Sequence, residues 1–230
     1  MEITWLGHGG WSIKADEKTI LLDPFLTDCP TATASADDIA ADFILVSHGH
    51  FDHIADVPAI AKRTGAQVIA IHEIAEWLKS QQQVENVVGM NIGGGVTLPF
   101  GHVKMTAALH SSQLPDGSYG GEPAGFLLTI GGQRIYFACD TGLFSDMQLL
   151  AGGTGQGGLD LAVVPIGDLY TMGPEDSLQA IQWLKPTKVA PAHYGTWPPI
   201  AQDADAWAAS VREHTDAEPI IIKPGESFSL

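Results

Sequence analysis

Four side chains that commonly bind metals fall within six consecutive residues of this sequence. The segment is residues 48–53, and it reads His-Gly-His-Phe-Asp-His. Imidazole and carboxylate groups are the ligand types that hold zinc and other borderline divalent ions. Four such groups at this spacing would crowd a single ion. The spacing therefore favours two neighbouring ions, with His48 and His50 on the first and Asp52 and His53 on the second.

A buried strand leads into this segment. Residues 43–47 read Phe-Ile-Leu-Val-Ser, a short run rich in aliphatic side chains and free of charge, which is typical of a core strand. A strand that ends in a tight turn can direct alternate side chains at one point, and Gly49 permits the sharp backbone path that this requires. We therefore expect residues 48–53, called here the HxHxDH loop, to follow a core strand directly.

Three more residues of ligand type directly follow apolar strands later in the chain. They are His110 after the predicted strand 103–109, Asp140 after 134–139 and His193 after 189–192. Each one begins a loop that contains glycine or small hydroxyl residues. A metal centre that starts at the HxHxDH loop needs further ligands at strand ends, and these three residues are the candidates.

The composition restricts the class of protein and its partners. The chain has 230 residues, 45% of them hydrophobic, and a formal net charge of -16. This length allows one large domain with a sizeable core. The acidic balance argues against a nucleic-acid-binding surface and against docking on an anionic membrane. Bound divalent ions would still admit an anionic substrate, because they reverse the local field.

Cysteine usage and the N-terminus bear on the cellular compartment. Cys29 and Cys139 are far apart and fit no metal-binding spacing, so reduced thiols are expected. The N-terminus lacks a basic region followed by an apolar core, and no apolar run approaches the roughly 18 residues of a membrane helix. We therefore expect a cytoplasmic protein that acts on a small molecule. The sequence leaves association into a homo-oligomer open.

Strand and helix patterns alternate along the chain. Residues 2–23 read as a β-meander, and residues 24–41 as a long loop that either borders the site or is a plain surface excursion. Helices are predicted at 55–63, 73–82, 174–184 and 204–214, and later strands at 67–71, 103–109, 124–130, 134–137, 159–165, 188–191 and 220–222. The Gly-rich segment 152–158 reads as a loop within the domain. We predict a single α/β domain over residues 1–230, a four-layer αββα sandwich with two mixed sheets between outer helices.

The order of these motifs resembles the metallo-β-lactamase superfamily over essentially the whole chain. The resemblance rests on HxHxDH followed by His110, Asp140 and His193, with Asp23 upstream at a strand end. It extends to one branch, the small metal-dependent hydrolases. Features of that branch stand here as Leu6-Gly7-His8, Leu22-Asp23-Pro24, His110-Ser111-Ser112, Pro165-Ile166-Gly167, Thr171-Met172-Gly173-Pro174 and His193-Tyr194-Gly195-Thr196. One departure is Cys139, where glycine usually precedes the aspartate.

The resemblance implies a specific division of ligands between two ions. By it, the first ion is bound by His48, His50 and His110, the second by Asp52, His53 and His193, and Asp140 bridges them. Zinc is the first expectation for both ions, with Mn²⁺, Ni²⁺ and Fe²⁺ as alternatives.

Two such ions, about 3.5–4 Å apart, can hold a bridging hydroxide and clamp a substrate oxygen. Asp52 is expected to orient the nucleophile or accept its proton besides binding metal. His8 is predicted to act in catalysis as well, by contacting the substrate or supporting the cluster. Tyr170 is an alternative to His8 as the group that stabilises the developing oxyanion. Asp23 is expected to hold the second nitrogen of a ligand imidazole, or else to form a turn before Pro24.

The favoured function is therefore a dinuclear metal-dependent hydrolase acting on a small ester-type substrate. A phosphodiester or a lactone is favoured over a β-lactam, because a cytoplasmic location does not suit antibiotic defence. One alternative is a di-iron redox protein on the same scaffold, although the flavin partner domain that such proteins usually need is absent. Another is a sensor that binds a metal or metabolite without turnover.

Overall fold

Two mixed β-sheets form the centre of the computed structural model, which describes residues 1–152 and 158–230. The first sheet contains β1 (Glu2–Gly7), β2 (Gly10–Ala15), β3 (Lys18–Leu22), β4 (Phe43–Leu45), β5 (Gln67–Ile71), β6 (Val87–Met90) and β14 (Ser227–Ser229), in the order β14-β1-β2-β3-β4-β5-β6. The second contains β7 (Gly95–Leu98), β8 (Gly101–Ala107), β9 (Ala124–Ile130), β10 (Gln133–Phe137), β11 (Leu161–Pro165), β12 (Lys188–Ala192) and β13 (Glu218–Pro219), in the order β13-β12-β11-β10-β9-β8-β7. The predicted β-meander over residues 2–23 is confirmed, because β1, β2 and β3 pair antiparallel in sequence order.

Helices cover the outer faces of both sheets. They are α1 (Phe51–Ile54), α2 (Val57–Thr64), α3 (His72–Ser80), α4 (Pro174–Leu184) and α5 (Ala204–His214), with 3-10 turns at Ser145–Ala151 and Pro198–Ile200. The apolar stripes of α2 and α3 join the core of the first sheet, and those of α4 and α5 pack on the second. The predicted four-layer αββα sandwich is confirmed.

The second sheet is buried on both faces. Successive side chains of its strands point alternately into two different apolar cores. Leu128 and Phe137 point into the core shared with the first sheet. Their neighbours Leu127 and Tyr136 point the other way, into the core beneath α4 and α5. Successive side chains of a strand point to opposite faces. A sheet between two apolar layers therefore requires the nearly continuous apolar runs that the sequence has here.

One predicted strand is wrong. Residues 220–222 are irregular, and the pairing that was expected there is made by Glu218–Pro219 and by Ser227–Ser229 instead. Ile220 N still donates to Val189 O of β12 at 2.8 Å, but no ladder continues from there, because the chain crosses from the edge of the second sheet to the edge of the first. Their isoleucines still pack against the two cores. The apolar run therefore indicates that these side chains are packed in the cores, and it does not indicate a paired strand.

The strand before the HxHxDH loop is shorter than predicted, because β4 ends at Leu45 and Val46 and Ser47 lie between it and the loop. The second half of the loop is the single helical turn Phe51–Ile54. The Gly-rich segment 152–158 lies mostly outside the described residues, which omit 153–157. Within the described ranges, no helix has the length and apolar character needed to cross a lipid bilayer.

Asp56 fastens the start of the long 24–41 loop to the helices behind the HxHxDH loop. Its buried carboxylate accepts hydrogen bonds from Leu26 N at 2.6 Å, from Thr27 N at 3.0 Å and from the Thr27 hydroxyl. Replacing Asp56 with alanine should lower the free energy of unfolding by about 2 kcal/mol, because these donors lose a charged acceptor in a largely dry position. Urea unfolding of the metal-free protein measures the loss.

Asp38 supplies the matched control for this change, because it is an exposed carboxylate in the same loop. Asp38→Ala should change the free energy of unfolding by less than about 0.5 kcal/mol. Equal stabilities for the two variants would contradict an anchoring role for Asp56.

Candidate metal centre

Strand direction brings the candidate ligands together. In the first sheet β1, β3 and β4 run the same way, and in the second sheet β8, β10 and β12 do so. Each of these strands ends within three residues of a site residue, and these residues are His8, Asp23, His48, His110, Asp140 and His193. Backbone hydrogen bonds join the two sheets at this edge, from His193 N to His8 O at 3.1 Å and from Ala124 N to Ser47 O at 3.0 Å.

His48, His50 and His110 form one cluster of ring nitrogens. The Nδ1 atom of His50 lies 3.0 Å from His48 Nε2 and 3.2 Å from His110 Nε2. Three imidazole nitrogens that face one point at this range are the geometry of a three-histidine metal site. Burial lowers the pKa of all three imidazoles, and most strongly that of His48. The neutral form that binds metal is therefore favoured.

A second cluster contains His8, Asp52, His53 and His193, whose nearest polar atoms all lie within 4.8 Å of one another. His53 and His193 are buried, whereas Asp52 is partly exposed. His48 and His50 thus fall in the first cluster and Asp52 and His53 in the second, although His48 and His53 also lie together with Asp23. The division of the loop between two ions stays a prediction.

Asp140 lies between the two clusters. Its Oδ2 atom is 3.0 Å from His193 Nε2, 3.4 Å from His53 Nε2, 3.6 Å from His110 Nε2 and 4.0 Å from His48 Nε2. Burial alone would raise the pKa of this carboxyl, but the neighbouring His193 and His53 hold it well below its usual value. One ionised oxygen is therefore within reach of ring nitrogens from both clusters.

The donor set fits divalent cations. Among the described residues, His53 Nε2 is a buried atom without a hydrogen-bonding partner. Burial by itself would lower the pKa of His53, but the carboxylates of Asp140 and Asp23 raise it well above the ordinary value. The field at this nitrogen thus favours positive charge, which a metal ion would supply. Imidazoles and carboxylates that converge without a cationic side chain are a complete ligand set for zinc-like ions.

A short relay of hydrogen bonds fixes the ring orientation of two histidines. Asp23 accepts hydrogen bonds from Ser47 N at 2.8 Å and from His53 Nδ1 at 2.8 Å. The Ser47 hydroxyl donates its single proton to Asp23 at 2.5 Å, so it must accept from His48 Nδ1 at 2.9 Å. Both rings therefore carry a proton on Nδ1 and turn Nε2 toward the centre, which orients them for metal binding. The expected contact between Asp23 and a candidate ligand imidazole is present.

His8 is a member of the second cluster, yet its bonding differs from that of the other histidines. Its ring is fully buried, and it lies 3.0 Å from Asp52 Oδ2 through Nε2 and 2.8 Å from Thr196 Oγ1 through Nδ1. Burial is the main reason that the pKa of His8 falls to about 4, so the ring is neutral at pH 7. An ionised carboxylate only accepts, so Nε2 carries the proton and Nδ1 accepts from Thr196. Both ring nitrogens are thus already in use.

Cys139, the departure from the resembling family, occupies strained backbone. Its φ is +55°, in the left-handed region that glycine adopts at little cost. This conformation accounts for the glycine that usually stands at the position. Burial raises the pKa of the Cys139 thiol well above its usual value, so the thiol stays protonated and weakly reactive at neutral pH.

A cavity of about 680 Å³ opens above the two clusters. Its floor is formed by candidate ligands, namely His50, Asp52, His110, Asp140 and His193. Tyr170 and Trp197 line its walls, whereas Tyr194 stacks on Trp5 at 5.2 Å and Met172 is buried in the core.

Sequence reasoning missed one wall of this cavity. It is bordered by Phe51, Gln113, Leu114, Pro115 and Gly117, none of which has a ligand-type side chain. The turn signal Pro115-Asp116-Gly117 indicates only that the chain reverses there. The segment is held against the HxHxDH loop by a hydrogen bond from Gly49 N to Ser112 Oγ at 3.0 Å, which no local pattern predicts.

The chain is similar to known proteins over its whole length. The family model described as a beta-lactamase superfamily domain matches residues 18–194, more than half of the chain. A UPF0173 metal-dependent hydrolase from Symbiobacterium thermophilum is 44% identical over 230 residues and is covered at 100% in both chains. A second, from Thermus thermophilus, is 45% identical over 230 residues, with 100% of this chain and 99% of the relative covered.

A solved structure supports the same assignment. Igni18, a metallo hydrolase from the hyperthermophilic archaeon Ignicoccus hospitalis, aligns with a TM-score of 0.86 at 32% identity, covering 100% of this chain and 98% of the other. Fold, motif order and full-length identity agree, and the resemblance inferred from the sequence is confirmed. The chain belongs to the UPF0173 metal-dependent hydrolases, a family of enzymes within the beta-lactamase superfamily.

Proposed function

We propose that this enzyme binds two divalent ions and hydrolyses a small ester-type substrate between them. The ligands are assigned as His48, His50 and His110 for the first ion, Asp52, His53 and His193 for the second, and Asp140 for both. The observation that carries the proposal is the position of Asp140 Oδ2, within 4.0 Å of ring nitrogens from both clusters. Zinc is the proposed metal, because imidazole and carboxylate ligands suit it, with Mn²⁺, Ni²⁺ and Fe²⁺ as alternatives.

Bound divalent ions would act as Lewis acids toward the ester oxygen and lower the pKa of water. The protein residues prepare this chemistry by charge and position. Asp140 and Asp52 offset positive charge, and the buried His48 and His53 present Nε2 because their Nδ1 protons are held by Ser47 and Asp23. No serine or cysteine nucleophile is needed in this scheme.

Asp52 is the proposed proton acceptor for the nucleophile. It lies on the floor of the cavity, and its hydrogen bond with His8 is the main influence that lowers its pKa, against the opposing effect of burial. The carboxylate is therefore ionised at neutral pH. His8 is proposed to position this carboxylate from behind, since its ring is buried and donates to Asp52 Oδ2.

The test of the dinuclear assignment is metal content combined with turnover. Protein stripped with a chelator is reloaded with Zn²⁺, Mn²⁺, Ni²⁺ or Fe²⁺ and assayed on chromogenic phosphodiesters, carboxylic esters, lactones and thioesters. The proposal expects two ions per chain and hydrolysis that appears only after reloading. A single ion per chain at saturation, or equal turnover by the stripped protein, would overturn it. Metal uptake without turnover on the whole panel would favour the sensor interpretation.

Replacing Asp52 with asparagine should lower kcat by roughly a hundredfold, because an amide of the same shape cannot accept the proton. The measurement is kcat on the best substrate of the panel, with metal content determined in the same sample. Asp37→Asn changes an exposed carboxylate away from the cavity and should leave kcat within twofold of the parent. Turnover of the Asp52 variant equal to that of the control would remove the assigned role.

A further inference from the structure

The cavity above the ligands differs in chemistry from its floor. Above the floor its lining consists of apolar or aromatic side chains and a few uncharged polar groups. The apolar and aromatic members are Phe51, Leu114, Pro115, Tyr170 and Trp197, the polar side chains are those of Ser111 and Gln113, and Gly117 contributes backbone only. Among the described residues that line it, none is lysine or arginine. The walls therefore offer apolar surface and no fixed positive charge.

An aromatic cluster builds one wall. The rings of Phe51 and Trp197 are 6.3 Å apart at their centroids, and both contact the buried ring of Phe25, at 5.7 Å and 6.1 Å. Phe25 is 1% exposed, whereas Phe51 is 55% exposed beside the ligand Asp52. A large aromatic side chain that is held rigid from behind yet left exposed at a cleft is a recognition surface more often than a packing defect.

Tyr170 closes the cavity from the opposite element, the loop before α4. Asp168 and Leu169 have φ values of +60° and +39°, left-handed conformations that are unusual for residues other than glycine. Hydrogen bonds hold the loop in this form, from Thr171 N to Asp168 O at 3.0 Å and from Met172 N to Thr141 O at 2.9 Å. The strained turn leaves Tyr170 58% exposed at the cavity wall. Strain that a structure maintains at a binding cleft is characteristic of functional positioning.

The absence of positive side chains among the described residues of the cavity walls favours uncharged esters over anionic phosphodiesters. Sites that transfer or bind phosphate usually add arginine or lysine, which pair with the anionic oxygens. Here the lining lacks such groups, and the chain as a whole carries a net charge of -16. An anionic diester would find positive charge only at the ions themselves. An uncharged ester would place its carbonyl at the ions and its apolar arm on the aromatic wall.

We propose that the substrate is an uncharged carboxylic ester or lactone with an apolar arm, and that Phe51, Trp197 and Tyr170 select it. This inference rests on the proposed hydrolytic function and narrows it, since it prefers the uncharged ester over the phosphodiester. Phe51, Trp197 and Tyr170 act by binding the arm and take no part in bond breaking.

A substrate series with one leaving group tests the preference. The zinc-loaded enzyme is assayed on 4-nitrophenyl acetate, butanoate and hexanoate, and on bis(4-nitrophenyl) phosphate. The value of kcat/KM should rise about fourfold for each methylene that the wall buries, and the hexanoate should exceed the phosphodiester. A phosphodiester that is the better substrate, combined with no dependence on chain length, would overturn the inference and leave the hydrolytic function standing.

Two variants and a matched control test which side chains bind the apolar arm of the substrate. Phe51→Ala and Tyr170→Ala remove side chains that are more than half exposed, so both variants are expected to fold. Each should lower the ratio of kcat/KM for hexanoate to that for acetate by about tenfold. Tyr119→Ala removes a tyrosine of similar exposure that does not line the cavity, and it should leave this ratio unchanged. An unchanged ratio in both wall variants would contradict the assignment of the wall.

A binding measurement separates this inference from the proposed function. Alkyl hydroxamic acids from acetohydroxamic to octanohydroxamic acid carry one metal-chelating head group, the same in every member, on an apolar tail of increasing length, and calorimetry follows their binding without turnover. Affinity for the zinc-loaded protein should rise with tail length and should rise less in Tyr170→Ala. Length-dependent binding without hydrolysis of any ester would retain the apolar subsite and refute the proposed function. Affinity independent of tail length would refute the subsite even where esters are hydrolysed.

Discussion

On the proposed assignment of two ions, replacing Asp140 with asparagine should remove one of them and lower kcat by roughly a thousandfold or more. The reason is the position of one atom, Oδ2, which lies 3.0 Å from His193 Nε2 and 3.6 Å from His110 Nε2. Asparagine keeps the shape of the side chain and removes its negative charge. Two cations held close together repel each other, and the carboxylate between them is the group that offsets this repulsion. Metal content by mass spectrometry and kcat on the best ester measure the two effects in one sample.

Asp160 supplies the control for this variant. It stands just before β11, at the opposite end of the same sheet, and its carboxylate accepts a hydrogen bond from Arg134 N at 2.7 Å. Asp160→Asn makes the same chemical change far from the ligands, so it should keep two ions and nearly full turnover. Two ions per chain and a kcat within tenfold of the parent in the Asp140 variant would show that the bridging charge is dispensable.

The proximity of the candidate ligands could be predicted from the sequence, because it follows from a simple rule. Strands that run in one direction end at one edge of a sheet, and ligand-type residues that follow apolar strands therefore meet. His110, Asp140 and His193 satisfy this rule and lie beside the HxHxDH loop in the structure. Four-layer architecture followed from the same alternation of apolar strands and helices. The assignment of each residue to an ion remains a prediction that metal analysis will test.

Backbone conformation at the site has no comparable signal in the sequence. His8, Asp23, Cys139 and His193 all have positive φ, between +44° and +55°, and each is located where a strand gives way to a loop. A glycine at such a position would indicate the turn in the sequence, but these four residue types do not indicate it. Their left-handed geometry is imposed by the surrounding contacts, such as the hydrogen bond from His193 N to His8 O. The position of His8 behind Asp52 depends on that geometry, so sequence alone left its role undecided.

The cavity walls were unpredictable for a different reason. Phe51 lies within the HxHxDH loop, and its exposure follows from Phe25 packing beneath it, a contact between residues 26 positions apart. Leu114 and Pro115 reach the cavity because Ser112 is bonded to Gly49. The cavity walls depend on long-range packing and not on periodicity. The sequence therefore predicts the candidate ligands but not the cavity above them.

Replacing Asp23 with alanine is the second change for which we expect a large effect, on both stability and zinc affinity. Its buried carboxylate accepts hydrogen bonds from Ser47 N, the Ser47 hydroxyl and His53 Nδ1. Asp23→Ala leaves three buried donors without their acceptor, and at about 1–3 kcal/mol each the free energy of unfolding should fall by about 4 kcal/mol. Zinc affinity should fall by up to about a hundredfold, because the rings of His48 and His53 lose the relay that orients Nε2. Urea unfolding of the metal-free protein and competition with a chromophoric zinc chelator measure the two quantities.

The comparison with a surface carboxylate distinguishes orientation from general stability. Asp42 accepts hydrogen bonds from Thr19 N at 2.9 Å and Lys18 Nζ at 3.0 Å, but it is partly exposed, so water can replace it. Asp42→Ala should cost less than about 1 kcal/mol and leave zinc affinity unchanged. Loss of stability in Asp23→Ala with unaltered zinc affinity would mean that the carboxylate supports only the fold. Asp23→Asn, which keeps one acceptor oxygen and tolerates the positive φ, should fall between alanine and the parent in both measurements, because this oxygen can accept from at most two of the three donors.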